Sequence, residues 1–132
     1  MPYTMLNQEP FEEIFPEFER RGIGIIIGSP YASGMLTSGS REESKYGYSA
    51  VSEEIRKEVQ SIEVICEDHG VPLKAAALQF PLAHPQVSSV IPGSLTVAQV
   101  NENLEMLKIN IPLEFWLELK HAGLLHPEAP VA

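Results

Sequence analysis

Val87-Ser-Ser-Val-Ile-Pro-Gly-Ser94, followed by Gln99-Val-Asn-Glu-Asn-Leu104, reads as a buried strand that passes through a short Gly/Ser turn into a helix. A helix N-terminus presents unpaired backbone N–H groups and a partial positive charge, and glycine lets a phosphate approach the backbone closely. The segment is therefore open to two readings. One is an anion site with Gly93 and Ser94 against the ligand. The other is an ordinary strand-to-helix loop with Thr96 as the helix cap.

Working outward from this segment, the chain alternates between strand and helix patterns. Tyr3 to Leu6 is a candidate short strand, and Pro10 to Arg21 places Phe11, Ile14, Phe15 and Phe18 at helical spacing until Gly22 stops the helix. Ile23-Gly-Ile-Ile-Ile27 is apolar without alternation, which predicts a parallel-sheet strand covered on both faces. Residues 29–49, rich in Gly, Ser, Tyr and Pro, form a long irregular loop at the C-terminal end of that strand. Val51 to His69 keeps a helical period through Val59, Ile62 and Ile65, ends at Gly70 and Pro72, and is followed by a helix over Leu73 to Leu82. After the strand Ser88 to Ile91, Thr96 to Leu107 is amphipathic through Val100, Leu104 and Leu107. Pro112 opens a last helix with Phe115, Trp116 and Leu119 as its apolar face, and residues 126–132 are a terminal tail. The pattern predicts a single α/β domain over residues 1–132 with a parallel sheet, and three strands are too few to close a barrel.

Composition bounds the partners. With 132 residues, of which 44% are hydrophobic, the chain is long enough for one domain with a true core. Nine Lys and Arg against 18 Asp and Glu give a formal net charge of −9, which opposes nucleic acid, whose binding rests on neutralising phosphates. The single cysteine, Cys66, cannot form an internal disulfide and reads as a small buried apolar residue, in keeping with a reducing, cytoplasmic setting. No basic leader and no apolar run of membrane-spanning length is present, so no membrane association is expected. His69, His84, His121 and His126 are scattered without metal-ligand spacing, and no metal is expected.

Four ordered stretches carry a more specific signal: Gly28-Ser-Pro-Tyr-Ala-Ser-Gly-Met-Leu36, Val71 to Pro85 with its Ala-Ala-Ala-Leu-Gln-Phe core, Val90-Ile-Pro-Gly-Ser94, and Gln99 to Asn103. Together with Ile111 to Leu125 they resemble the aldo-keto reductases, and within them the D-threo-aldose or L-fucose 1-dehydrogenase and pyridoxal 4-dehydrogenase branch. The resemblance implies a (β/α)8 TIM barrel that binds a nicotinamide dinucleotide at its C-terminal face. It maps Tyr3–Leu6, Ile23–Ile27 and Ser88–Ile91 onto the last three strands, so that the chain is a partial barrel. The family's catalytic Asp, Tyr, Lys and His belong to earlier strands without counterpart in this sequence, and the expectation is a chain with no catalytic residues. Tyr31, Tyr46 and Tyr48 lack a lysine and histidine in a matching pattern and are not expected to replace the missing acid.

By the same resemblance, Ser29, Pro30, Tyr31 and Ser33 match the loop that holds the cofactor pyrophosphate. Pro92, Gly93, Ser94, Leu95 and Thr96 match the segment cradling the adenosine phosphate, Gln99 follows it, and Glu102 with Asn103 matches the pair that hydrogen-bonds the adenine. Many NADP-preferring relatives carry Lys where this chain has Gly93 and Arg where it has Gln99. Each missing charge-assisted bond to a 2′-phosphate is worth about 1.5–3 kcal/mol, which favours NAD over NADP. Two functions follow as expectations. The first is the C-terminal portion of an NAD(P)-dependent aldo-keto reductase of the sugar or aldehyde dehydrogenase type, carrying the cofactor half-site and inactive alone. The second is a non-catalytic module that forms homo-oligomers or pairs with a complementary barrel half, because an open parallel sheet leaves edges and faces uncovered.

Overall fold

The computed structural model describes residues 1–32, 34–39, 45–46, 49–50 and 52–131. Its elements in chain order are α1 (Glu9–Glu13), α2 (Phe15–Arg21), β1 (Ile25–Gly28), α3 (Met35–Ser38), β2 (Lys45–Tyr46), β3 (Ser49–Ala50), α4 (Glu53–His69), α5 (Leu73–Leu82), β4 (Val87–Ile91), α6 (Val97–Met106) and α7 (Leu113–His121). β1 and β4 pair in parallel, with Ile26 opposite Ser89, Ile27 opposite Val90 and Gly28 opposite Ile91; β2 and β3 form a separate antiparallel pair. The stretch 29–49, read as a loop, thus carries α3 and β2 and ends at the first residue of β3.

Alternation along the two parallel strands decides where the core lies. Ile25, Ile27 and Val87 are buried on one face against Val59, Ile62 and Ile65 of α4, Ala75 to Leu78 and Phe80 of α5, and Phe115, Trp116 and Leu119 of α7. An aromatic chain runs through this core: Tyr3 lies 5.0 Å from Phe15 and 5.1 Å from Phe80, and Phe80 lies 6.1 Å from Trp116, centroid to centroid. The opposite face is open. Ile26 is 55% exposed and Ile91 60% exposed, so the expectation of a strand covered on both faces is not met, because the described helices pack on one side only.

Two further expectations are corrected. Tyr3 to Leu6 is not a strand: Thr4 and Asn7 bond each other's backbone in both directions at 2.9 and 3.1 Å, the Leu6 N–H donates to Thr4 Oγ1, and the Gln8 side chain donates to the Thr4 carbonyl. These local bonds consume the groups a ladder would need, while Tyr3 and Met5 are fully buried. The helix over Pro10 to Arg21 is broken at Ile14, whose φ of −125° is not helical. Pro16 supplies the reason, since it has no N–H to continue the ladder and its ring clashes with the preceding turn.

The remaining helices begin and end where their caps place them. Ser52 Oγ accepts from the Ile55 N–H at 3.3 Å and Gly70, at φ +64°, closes α4. Gly22, at φ +66°, ends α2 as its position predicted. Val51 lies outside the described residues. Cys66 is buried and its thiol is pushed up to about 12, mainly by burial, so it packs as an apolar group. The segment read as a plain tail is tied back: Ala129 is buried, the His126 N–H donates to Gln8 Oε1 at 3.0 Å, and His126 Nε2 meets Glu12 at 2.6 Å. No described helix is long and apolar enough to cross a membrane.

Candidate functional site

Because Gly28 and Ile91 are register partners, the chain leaves both parallel strands at the same end of the sheet. That end of a parallel sheet is where α/β folds bind ligands. After β1 the chain turns through two left-handed residues that are not glycine, Ser29 (φ +52°) and Ala32 (φ +51°), with an Ala32 N–H to Ser29 carbonyl bond of 3.0 Å between them. Such φ values strain ordinary residues and cluster at functional loops. After β4, Pro92 to Leu95 leads to Thr96, whose Oγ1 accepts from the Gln99 N–H at 3.1 Å, while Gln99 Oε1 accepts from the Leu95 N–H at 2.6 Å. This reciprocal arrangement is a variant of the capping box and holds the start of α6 rigid.

A three-residue hydrogen-bond chain ties the two loops together. The Tyr31 hydroxyl donates to Asn103 Oδ1 at 2.5 Å, and Asn103 Nδ2 donates to Ser94 Oγ at 2.9 Å. Asn103 faces inward from α6 and is one of the few buried polar residues. Burial first, and the charge of Glu102 second, push the Tyr31 phenol up to about 12, so it stays protonated and donates. Between the loops and α5 lies a cleft of about 340 Å³, within the roughly 300–1,000 Å³ typical of small-molecule sites.

Of the residues singled out in the sequence, Ser29, Tyr31, Gly93, Ser94, Leu95, Gln99 and Asn103 line this cleft. Pro30 is buried beside it, Pro92 and Thr96 shape the turn, and Glu102 lies one position before Asn103 on α6 without reaching the wall. Ser33 and Tyr48 lie outside the described residues, as does the side chain of Tyr46. The fold adds three wall residues that the sequence did not single out: Gly34, Thr37 and Lys74. Gly34 and Thr37 carry no distinguishing pattern. Lys74 does carry one, since a cation in the first turn of a helix opposes the helix dipole and calls for a reason of its own. Its Nζ donates to Glu102 Oε2 at 2.7 Å, joining α5 to α6.

The wall residues of the cleft are mostly polar. Hydroxyls, amides, a glycine and one ammonium group surround the cleft, and no His, Asp or Glu side chain is among its described lining residues. The Tyr31 hydroxyl is engaged by Asn103, and no acid–base pair is present among the described lining residues. The residues present fit the phosphate and adenosine portion of a dinucleotide, with Gly93 open to close approach, since nothing lies within 4 Å of a Cβ placed there.

Comparison with known proteins gives the lineage of this arrangement. The sequence pattern of the Aldo/keto reductase family matches residues 1–123. The chain is 35% identical over 123 residues to pyridoxal 4-dehydrogenase of Microbacterium luteolum and 36% identical over 124 residues to D-threo-aldose 1-dehydrogenase of a Pseudomonas species, covering 93% of this chain in each case. It spans only 36% and 38% of the length of those two relatives. Among solved structures, an aldo-keto reductase from Bacillus halodurans superimposes with a TM-score of 0.70 in its apo form at 27% identity, covering 92% of this chain and 41% of that one. Its holo form superimposes with a TM-score of 0.69 at 25% identity.

Proposed function

Because the chain belongs to the aldo/keto reductase family, we propose that it carries the cofactor half-site of an NAD(P)-dependent member, for the phosphates and adenine, and that alone it catalyses no dehydrogenase reaction. The observation that supports this reading is the Tyr31–Asn103–Ser94 chain, which holds the loop after β1 against the loop after β4 within this chain alone. Ser29, Gly93 and Ser94 offer a hydroxyl or a close-approach backbone to phosphate oxygens. A bound nicotinamide dinucleotide supplies hydride exchange with a carbonyl carbon, as expected of an aldose or aldehyde dehydrogenase. That chemistry needs a proton donor and its aligning partners, which the cleft lacks among the described residues.

Isothermal titration of NAD and NADP into the purified chain tests the reading. Saturable heat with NAD, together with no nucleotide reduction when pyridoxal or an aldose is added, is the expected result. No binding of either nucleotide at millimolar concentration overturns it.

A second reading rests on a different observation. The open face of the β1–β4 sheet exposes Ile26 and Ile91, and the outer stripe of α6 exposes Val97, Val100, Leu104 and Leu107. Apolar area of this extent is costly in water and favours a partner, either a second copy of the chain or a complementary barrel portion.

A further inference from the structure

A second cavity, of about 360 Å³, lies beside the start of β4, at the other end of the strand from the cleft, and shares no lining residue with it. It is formed where the α1–α2 segment meets the turn between α5 and β4. Its floor is aromatic. Phe15 is 1% and His84 7% exposed, their ring centroids lie 4.8 Å apart, and Phe11 forms a wall 5.8 Å from His84. Its rim is acidic, with Glu12, Glu19 and Glu128 exposed there, and neither Lys nor Arg is among its described lining residues. Glu12 is engaged by His126 Nε2 at 2.6 Å, whereas the carboxylates of Glu19 and Glu128 have no partner among the described residues.

The His84 ring supplies a separate sign of a ligand. Its Nδ1 accepts from the Gln86 N–H at 3.1 Å, so the neutral ring carries its proton on Nε2. That donor belongs to a side chain more than nine-tenths buried and meets no acceptor among the described residues. Unlike the Tyr3 hydroxyl and Trp116 Nε1 it is not sealed within the core, and because His84 lines the cavity, Nε2 opens into it. The charge of Glu19 is felt at the same ring, where it pulls the imidazole pKa up against the larger effect of burial. We propose that the Phe11 and Phe15 rings, the Glu19 and Glu128 carboxylates and His84 Nε2 together bind a small alkylammonium alcohol, with its cationic end against the rings and carboxylates and its hydroxyl oxygen accepting from Nε2–H. An uncharged alcohol leaves the carboxylates unanswered, a plain alkylammonium leaves the N–H unpaired, and an anion is repelled by the rim. The site stands apart from the dinucleotide half-site and does not depend on it.

Three probes titrated into the native chain at constant ionic strength separate these contributions, read by NMR shifts of the Phe11, Phe15 and His84 ring resonances. They are choline, tetramethylammonium, which lacks the hydroxyl, and the neutral alcohol in which carbon replaces the choline nitrogen. Choline should saturate in the millimolar range. Tetramethylammonium should bind about fivefold more weakly for want of the oxygen, and the neutral alcohol about tenfold more weakly for want of the charge. Glu19→Gln, at an exposed position, should weaken choline about threefold and leave the neutral alcohol unmoved. Phe11→Leu keeps an apolar wall without a ring and should weaken both cations, with urea midpoints showing that each variant is folded. No saturable shift with choline in the native chain overturns the proposal. Equal affinity for choline and the neutral alcohol reduces the cavity to an apolar crevice and overturns it as well. Tetramethylammonium binding as tightly as choline removes the His84 contact and with it the alcohol assignment.

Discussion

At the scale of single residues, two buried tyrosines make opposite uses of the same hydroxyl. The Tyr31 hydroxyl donates a hydrogen bond to Asn103 Oδ1, and Asn103 Nδ2 donates to Ser94 Oγ, so the phenol closes a network between segments 72 positions apart. Tyr3 is buried more deeply, yet its hydroxyl has no hydrogen-bond partner among the described residues, and burial pushes its pKa up. A buried donor withdrawn from its partner costs the partner's desolvation as well, about 1–3 kcal/mol, whereas removing an unpaired hydroxyl is near neutral. Tyr31→Phe should therefore lower the free energy of unfolding by about 1–3 kcal/mol in urea melts, and Tyr3→Phe should leave it unchanged or raise it. The reverse order would show that the Tyr31–Asn103 bond is not formed in solution. Neither role was legible in the sequence, where both residues are equally tyrosines near apolar neighbours. Glycines were legible in part: Gly22 and Gly70 end helices because each lies just past the last periodic residue and takes a left-handed φ.

At the scale of elements, the amphipathic period of α6 was read correctly and its orientation was not settled by that period. Val97, Val100, Leu104 and Leu107 recur at one face, and that face is exposed, while Asn103 and Met106 turn toward α5. Periodicity specifies that a helix has an apolar stripe and is silent on what covers it. The stripe belongs to the second reading of function. If it mediates self-association, the native chain should sediment as a concentration-dependent oligomer at tens of micromolar. The doubly substituted Val100→Glu, Leu104→Glu chain should then sediment as a monomer, with a stability change within about 0.5 kcal/mol per site, as for surface positions. A native chain that is monomeric at every concentration removes the homo-oligomer. The breaks at Tyr3–Leu6 and Ile14 carry a related lesson: short apolar segments are claimed by whichever local bonds form, here the Thr4–Asn7 turn and the interruption at Pro16.

At the scale of the whole molecule, stability depends on a junction where the N-terminal segment meets the α5–β4 connection. His84 is packed edge-on against Tyr3 and Phe15, at 6.0 and 4.8 Å, and against Phe11 at 5.8 Å, while its Nδ1 accepts from the Gln86 N–H at 3.1 Å. Burial lowers the His84 pKa, against a smaller opposing pull from Glu19. The fold therefore prefers neutral imidazole. Its contribution is complete above the unfolded value of about 6.5 and is lost as pH falls through the lower folded value. Glu58, whose carboxyl burial raises, acts in the other sense and does not account for a loss on acidification. The urea midpoint should thus fall between about pH 7.5 and 5.5, and fall less in His84→Gln, where no imidazole is left to take up a proton. An equal fall in both chains would place the acid sensitivity elsewhere. By itself, the sequence determined the α/β character, most helix limits, the family resemblance and seven of the residues that line the cleft, because periodicity, caps and short motifs are set by neighbours along the chain. Only the tertiary structure decided that one sheet face is open, that Tyr31 reaches Asn103, and that Lys74 stands at the cleft paired with Glu102. Those facts join residues far apart in sequence, and the parallel register of β1 on β4 and the packing of α5 against α6 bring them together.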